Sequence, residues 1–294
     1  MDICIVGRFP PPIGGVSVYV TRRYSHMLNS GKHVGKLDFS NKLFLFELFK
    51  FKANQYEVNS INLFVVLIFF FMGKINKSIF VDHNASRHCS GVKKKILLFI
   101  LNYSAGIYIV NPNLAGFYPS NFKIKLISPF VPPDESEYDS IYDKYPKEVK
   151  DFIRNDSFVV NSAWKFIPCG DGDLYGLGTS LKLLDSIPEM KLLLVLGLYE
   201  PDFFPEYCKK LIVKHIDSGR LCILSGQHQL WPVFKEKPIF LRLTPTDGDS
   251  VSVREALHFS CKTIASDSIV RPAGCITYNY GSFESLQLIL NEHL

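Results

Sequence analysis

Residues 238–274, PIFLRLTPTDGDSVSVREALHFSCKTIASDSIVRPAG, decide the fold. Residues 239–243 read as a strand, and 244–250 form a turn of small and polar residues. Residues 251–260 space their apolar positions as a helix does, and 263–266 read as a second strand leading into a polar exit. Strand, turn, helix and strand in that order make a unit of a parallel sheet, where ligands sit outside the carboxyl ends of the strands.

The turn has the composition of an anion site. Gly248 lets backbone approach a ligand, while Thr246, Ser250 and Ser252 offer hydroxyls. The first amides of the helix, beginning with Val251, lack intrahelical partners and favour a phosphate. Asp247 stands in the turn and Glu255 about a turn and a half into the helix, on the order of 8 Å along its axis. Two carboxylates beside a phosphate-friendly helix start suit a nucleotide-sugar, whose hydroxyls need acceptors while its diphosphate needs donors. Ser252-x-x-Glu255 also fits a capping box, in which case Glu255 only closes its own helix.

The run resembles the C-terminal signature of retaining glycosyltransferase family 4. There an acidic residue, seven intervening residues and a Glu are followed by Ala-Leu, a small-residue turn and a strand ending in Ala-Ser-Asp. This chain has Asp247, then Glu255-Ala256-Leu257, then Ile264-Ala265-Ser266-Asp267, and Arg271-Pro272 resembles the Pro-Glu that usually follows. The first acid is usually Glu; here it is Asp247, one methylene shorter. The resemblance implies an α/β fold of two Rossmann-like parallel-sheet domains facing across a cleft, the GT-B arrangement. It also implies a nucleotide-diphosphate sugar donor, with a UDP-sugar favoured and no metal required.

Length and composition agree with two globular domains. The chain has 294 residues, 47% hydrophobic and 21% charged, enough for two cores and unlike a disordered chain. Residues 1–150 carry 19 Lys+Arg against 11 Asp+Glu, and 151–294 carry 14 against 17, so a basic half precedes a mildly acidic one. A basic first half fits an anionic surface or substrate, or a solvated lysine-rich surface; nothing points to nucleic acid. The seven scattered cysteines form no C-x-x-C pair, which argues for a reducing compartment and against a zinc site or disulfide framework. No basic leader precedes the first strand, so no signal peptide is expected. The most apolar run, residues 63–72, is far shorter than the ~20 residues of a bilayer span and reads as a buried helix or one lying in a membrane interface.

The first strand, residues 2–6, leads through GRFPPPIGG (7–15) into a helix ending near Asn29. The spacing is not G-x-G-x-x-G, so a dinucleotide site is not expected. Gly14 and Gly15 match the paired glycines of the family, whose loop approaches the donor diphosphate and the acceptor; on composition alone they are a tight turn. Residues 32–51 are hard to read beyond a strand at 34–38. The strand 78–82 ends in His83, placed like a site residue, and family members carry a His there. Lys93, Lys94 and Lys95 open an amphipathic helix and, with Arg87, are candidates for anionic lipid or a pyrophosphate-linked acceptor, or an ordinary basic helix start.

Residues 132–137, PPDESE, read as a linker, giving domains at 1–133 and 150–294 joined by 134–149. The second half continues as strand and helix in alternation. Its loop 163–178 holds Lys165, a stand-in for the family's Arg, and Tyr175-Gly176 where the family has Lys-Gly, so the usual lysine is missing. Gly226 ends the strand where the family places the nucleotide base.

The resemblance thus implies Asp247, Glu255 and His83 as catalytic residues. Donor binding would fall to Gly14, Gly15, Lys165, Gly226, Thr246, Gly248, Ser250, Val251, Ser252 and Arg271. The expected acceptor is a lipid-linked glycan of the O-antigen or capsule type, handled in the cytoplasm at the inner face of the cytoplasmic membrane, with peripheral membrane contact. Two D-x-D motifs, Asp171-Gly172-Asp173 and Asp247-Gly248-Asp249, keep a metal-dependent transferase open. A sugar-nucleotide epimerase and a catalytically degenerate binding subunit are the remaining readings.

Overall fold

The computed structural model describes residues 1–11, 13–155, 157–247 and 249–294, arranged as two compact units, Met1–Val131 and Pro132–Leu294. The first holds six strands: β1 (Ile3–Gly7), β2 (Val34–Asp38), β3 (Gln55–Val58), β4 (Ser78–Asp82), β5 (Gly106–Ile109) and β6 (Ile124–Leu126). All pair in parallel, in the order β2-β1-β3-β4-β5-β6. Its helices are α1 (Gly15–Asn29), α2 (Phe44–Lys50), α3 (Leu63–Phe71) and α4 (Gly91–Leu101). Right-handed crossovers place α1 on one face and, because the chain reverses direction after β2, α2 to α4 on the other. The cores follow that division: Tyr19, Val20 and Met27 of α1 pack with Ile3 and Ile5, while Leu48, Val66, Phe69, Leu97 and Ile100 pack with Cys4, Val6 and Phe80.

The second unit opens with α5 (Tyr138–Tyr142) and α6 (Lys147–Asn155), followed by β7 (Val159–Ala163). A two-stranded antiparallel hairpin, β8 (Pro168–Cys169) and β9 (Gly172–Asp173), precedes α7 (Leu177–Ser186). Then come β10 (Leu192–Leu196), α8 (Glu206–Asp217), β11 (Leu221–Ser225), α9 (Trp231–Phe234), β12 (Ile239–Arg242), α10 (Val251–His258), β13 (Thr263–Ser266), β14 (Cys275–Tyr278) and α11 (Phe283–Asn291). The six-stranded parallel sheet runs β11-β10-β7-β12-β13-β14. Side chains alternate along its strands: Val159 and Leu241 pack with α7, α8 and α11, whereas Val160 and Phe240 pack with α5, α6, α9 and α10. With helices covering both faces the inner strands are rich in apolar residues, and all five residues of β10 are buried.

Three segments differ from the sequence reading. Residues 134–149, expected as a linker, are largely helical, and Tyr142, Tyr145 and Val149 are buried in the second unit's core. β3 escaped notice because Gln55 and Glu57 interrupt its apolar pattern; Glu57 is buried on a bidentate bridge from Arg23, at 3.0–3.2 Å. β6 and β14, expected as an exit segment and a polar stretch, are instead the edge strands of their sheets, where fewer apolar residues are needed.

Candidate functional site

A parallel sheet whose connections reverse direction leaves a crevice at the carboxyl ends of the two strands where the reversal occurs. In the second unit those strands are β7 and β12. β12 ends in Arg242, and the turn that follows folds back onto it. Arg242 Nε and Nη2 donate to Asp247 Oδ2 and Oδ1 at 2.7 and 3.0 Å, a bidentate pair. Arg271 Nη1 donates to the same Oδ2 at 3.3 Å. One carboxylate therefore lies between two guanidiniums, and the trio keeps a net positive charge. All three are well buried, the side chains of Arg242, Asp247 and Arg271 being 14%, 12% and 3% exposed.

Arg271 is committed further. Its Nε donates to Ser266 O, and its Nη2 to Thr244 O and Ser266 Oγ, so it ties the turn to the end of β13. Of its five N–H groups four are used, leaving at most one for a ligand. Burial lowers its pKa, with Asp247 opposing that effect. Arg242 is freer: its Nη1 makes a long 3.4 Å bond to Ser162 O on β7, and its guanidinium lies over the Tyr175 ring, 5.4 Å from the centroid. Sequence reasoning passed over Arg242, although a lone cation closing the apolar run Ile239-Phe240-Leu241 is visible there.

The turn delivers the chain to α10. Ser250 is the N-cap, its hydroxyl 3.0 Å from that of Ser252, while Val251 opens the helix. Thr246 N bonds back to Thr244 Oγ1, and Gly248 lies outside the described residues. With Ser250 as N-cap, the N3 position belongs to Val253, so Ser252 and Glu255 do not form a capping box. Glu255 is instead buried on the inward side of α10, 5% exposed. Its charge contributes, after burial, to raising the pKa of Tyr145. Tyr145 donates to Gln229 O and meets the His228 ring edge-on at 5.5 Å. Gly226, just past β11, has φ +110, which disfavours any side chain, and a Cβ there would approach His228 Nε2 to 3.4 Å. Tyr145, His228 and Gly226 thus form a set at the end of β11, with Glu255 within electrostatic reach of Tyr145. Lys165, two residues past the carboxyl end of β7, has its Nζ over the Phe203 ring at 5.4 Å.

Three of the four carboxylates in the D-x-D motifs, those of Asp173, Asp247 and Asp249, are committed to partners within the chain. Asp173 accepts from Tyr175 N and Leu177 N on Oδ1 and from Gly178 N on Oδ2, at 2.8–3.1 Å, so it caps the start of α7. Asp249 takes a bidentate bridge from Arg254. Among the described residues no group of three or more His, Cys, Asp or Glu is placed to hold a metal ion.

In the first unit the connections reverse between β1 and β3. Asn59, the residue after β3, donates from its backbone and its side chain to Val6 O, and its Oδ1 lies 3.1 Å from His83 Nε2. Tyr19 of α1 packs edge-on against the His83 ring at 4.9 Å. Burial pushes the His83 pKa down to about 4, so the imidazole is neutral near pH 7. Because an amide oxygen only accepts, Nε2 carries the proton and Nδ1 is left as an acceptor. Gly14 caps α1, its N–H bonded to Ser17 Oγ at 2.9 Å, and Gly15 is the first helical residue. A Cβ on Gly14 would meet nothing within 4 Å, so packing inside the unit does not demand glycine there.

Two six-stranded parallel sheets with these crossovers are the fold of GT-B glycosyltransferases, and solved structures agree over the whole chain. Anabaena Alr3699/HepE, determined in complexes with UDP and with UDP-glucose, matches with a TM-score of 0.65 at 11% identity, over 99% of this chain and 89% of that one. A glycosyltransferase from Rickettsia africae matches with a TM-score of 0.67 at 10% identity, over 99% and 88%. WaaG, a glycosyltransferase involved in lipopolysaccharide biosynthesis, matches with a TM-score of 0.55 at 11% identity, over 99% and 90%. No protein-family model and no curated protein sequence matches the chain.

Proposed function

We propose that this chain is a retaining glycosyltransferase, of family 4 type, that moves a sugar from a nucleotide-diphosphate donor to a lipid-linked glycan acceptor in bacterial surface-polysaccharide synthesis. The observation that carries the reading is the Arg242–Asp247–Arg271 cluster at the directional reversal of the second sheet, opening onto α10 with Glu255 buried beside it. Likeness in fold to proteins that bind UDP and UDP-glucose supports a UDP-sugar donor, and likeness to WaaG supports the surface-polysaccharide setting.

In this reading the net positive cluster and the amides opening α10 meet the diphosphate and stabilise the leaving group electrostatically. Arg242, with its less committed guanidinium, makes the phosphate contact, and Arg271 holds the turn that aims it. Asp247 Oδ1 accepts from one guanidinium only, so it keeps a lone-pair site for a sugar hydroxyl. Glu255 takes the ribose hydroxyls, and Gly226 leaves room for the base. His83, neutral, accepts an acceptor hydroxyl at Nδ1, and the Gly14-Gly15 turn lets the acceptor close on the backbone. The reaction runs without a metal, since Asp173, Asp247 and Asp249 already answer to amides and guanidiniums. Lys165, just past the end of β7, is the stand-in for the family's arginine at the diphosphate. The work is done in the cytoplasm at the inner face of the cytoplasmic membrane.

A second reading, a binding subunit without turnover, is favoured by one observation: Asp173 fills the start of α7, next to the loop that lacks the family's lysine. Both readings are tested by thermal stability against UDP, GDP, ADP and CMP, each with and without EDTA, followed by donor turnover. A ligand at 100 times its dissociation constant stabilises by about 2.7 kcal/mol. Transfer requires that one nucleoside diphosphate stabilise equally in EDTA and that its sugar conjugate be consumed only with a lipid-linked acceptor. Stabilisation without consumption selects the binding subunit; stabilisation lost in EDTA restores the metal-dependent alternative; no stabilisation by any nucleotide overturns the donor site.

A further inference from the structure

The three helices α2, α3 and α4 cover one face of the first sheet and bury one side each, but their outer sides are neither polar nor neutral. On α4, Val92, Ile96 and Phe99, followed by Tyr103, recur at i, i+4, i+7 and i+11 and are 72%, 43%, 63% and 50% exposed. The opposite side of the helix carries the buried Leu97, Ile100 and Leu101, so this is a second apolar stripe, turned outward. On α3, Phe64 and Phe71 are 68% and 80% exposed, and on α2 Phe49 is 75% exposed. The aromatic surface is continuous from α3 to α4: Phe71 packs on Phe70, Phe70 on Tyr103, and Tyr103 on Phe99, with ring centroids 5.6–6.1 Å apart. Of the six exposed phenylalanines among the described residues, five (Phe46, Phe49, Phe64, Phe71 and Phe99) lie on these three helices.

The charges on the same stretch are predominantly positive. Residues 42–103 contain nine Lys or Arg and three acids, and two of the acids, Glu57 and Asp82, are buried. Lys93 and Lys95 flank the outward stripe of α4, and Lys50 leans over the Phe46 ring at 4.0 Å. Exposed aromatics framed by long cations suit a boundary where rings enter an acyl layer and ammonium groups stay with anionic headgroups. A water-soluble protein partner would also need to supply the missing negative charge; a bilayer with anionic lipid supplies both halves at once. Among the described residues no helix is long and apolar enough to cross a membrane, so the contact is made from one side.

We infer that the outer face of α2, α3 and α4 docks on an anionic bilayer surface, with Phe71, Phe99 and Val92 inserted and Lys93 and Lys95 at the headgroups. This inference stands on the surface alone and is separate from the donor site.

The test is co-sedimentation of the full chain with vesicles of phosphatidylglycerol and of phosphatidylcholine. Binding is expected to phosphatidylglycerol and to fall as salt rises. Each of Lys93→Gln and Lys95→Gln should weaken it about fivefold, since a cation near an anionic surface contributes ~1 kcal/mol. A Phe71→Ser/Phe99→Ser variant should lose most of it while melting at an unchanged temperature, because both side chains are exposed. Equal binding to both lipids, or none to either, overturns the inference. So does a concentration-dependent dimer that the Phe71→Ser/Phe99→Ser variant abolishes without any effect on sedimentation, which assigns the face to a second copy. UDP binding serves as the control for the donor site and should be the same in every variant.

Discussion

Replacing Asp247 by Asn keeps the shape of the turn and removes the charge that lies between Arg242 and Arg271. Three hydrogen bonds are affected, and two guanidiniums, 14% and 3% exposed, are left facing one another with no anion between them. Breaking a fully buried ion pair by removing one partner costs about 3–5 kcal/mol. Partial exposure of Arg242 and Asp247 lowers that to about 2–3 kcal/mol. For a unit of this size the melting temperature should fall by about 5–10 °C. Asp249→Asn is the matched control, since Asp249 pairs with Arg254, whose side chain is 33% exposed, and should cost no more than about 1 kcal/mol. The ligand response separates stability from function. A diphosphate replaces the missing anion, so UDP should raise the melting temperature of Asp247→Asn by at least as much as that of the unaltered chain. Calorimetry with and without UDP reads both effects. An unchanged melting temperature in Asp247→Asn refutes the central role given to the cluster. A lowered one with no gain from UDP refutes the placement of phosphate beside Arg242.

Glu255→Gln should lower kcat/KM for transfer about 10- to 100-fold, the loss of a charged hydrogen bond to a ribose hydroxyl, as measured by donor consumption. The His83 pKa is lowered from 6.5 to about 4, so the unfolded chain binds the proton first; the contribution to stability is complete above pH 6.5 and is lost by up to ~3 kcal/mol as pH falls to 4. Urea titrations across that range should show the slope, and His83→Gln should flatten it. Asp173→Ala should destabilise the second unit by about 1–2 kcal/mol through loss of the α7 cap, and transfer by the unaltered chain should be indifferent to EDTA.

The fold was legible wherever the chain buries a strand on both faces. The strands at Ser78–Asp82 and Thr263–Ser266, and likewise the helix at Phe283–Asn291, carry period and turn signals that survive any tertiary setting. What stayed hidden was held by partners distant in sequence. Glu57 makes β3 look polar until Arg23 neutralises it, and the acidic segment at 134–149 looks like a linker until its tyrosines meet Trp231 and His228. The candidate site divides in the same way. Asp247 and Glu255 were found because a turn and a helix fix their spacing locally. Arg242 and Asn59 were missed because their meaning depends on which strand lies next to theirs, and strand order is not written in a local pattern. Arg271 was found, but its commitment to Thr244 and Ser266 was not foreseeable from a motif.

The chain has two tryptophans, and their surroundings divide them cleanly. Trp231 is fully buried between Tyr138 and Phe259. Trp164 leaves the carboxyl end of β7 half-exposed, its ring resting on Gly197 so closely that a Cβ there would stand 2.1 Å from Cε3. Emission from the two indoles should therefore separate by wavelength, a blue component that reports on the integrity of the core and a red one that reports on the mouth of the second sheet. Occupancy beside β7 and β12 can be followed as quenching of the red component alone, with the blue component as an internal reference in the same cuvette, so the protein carries its own optical titration.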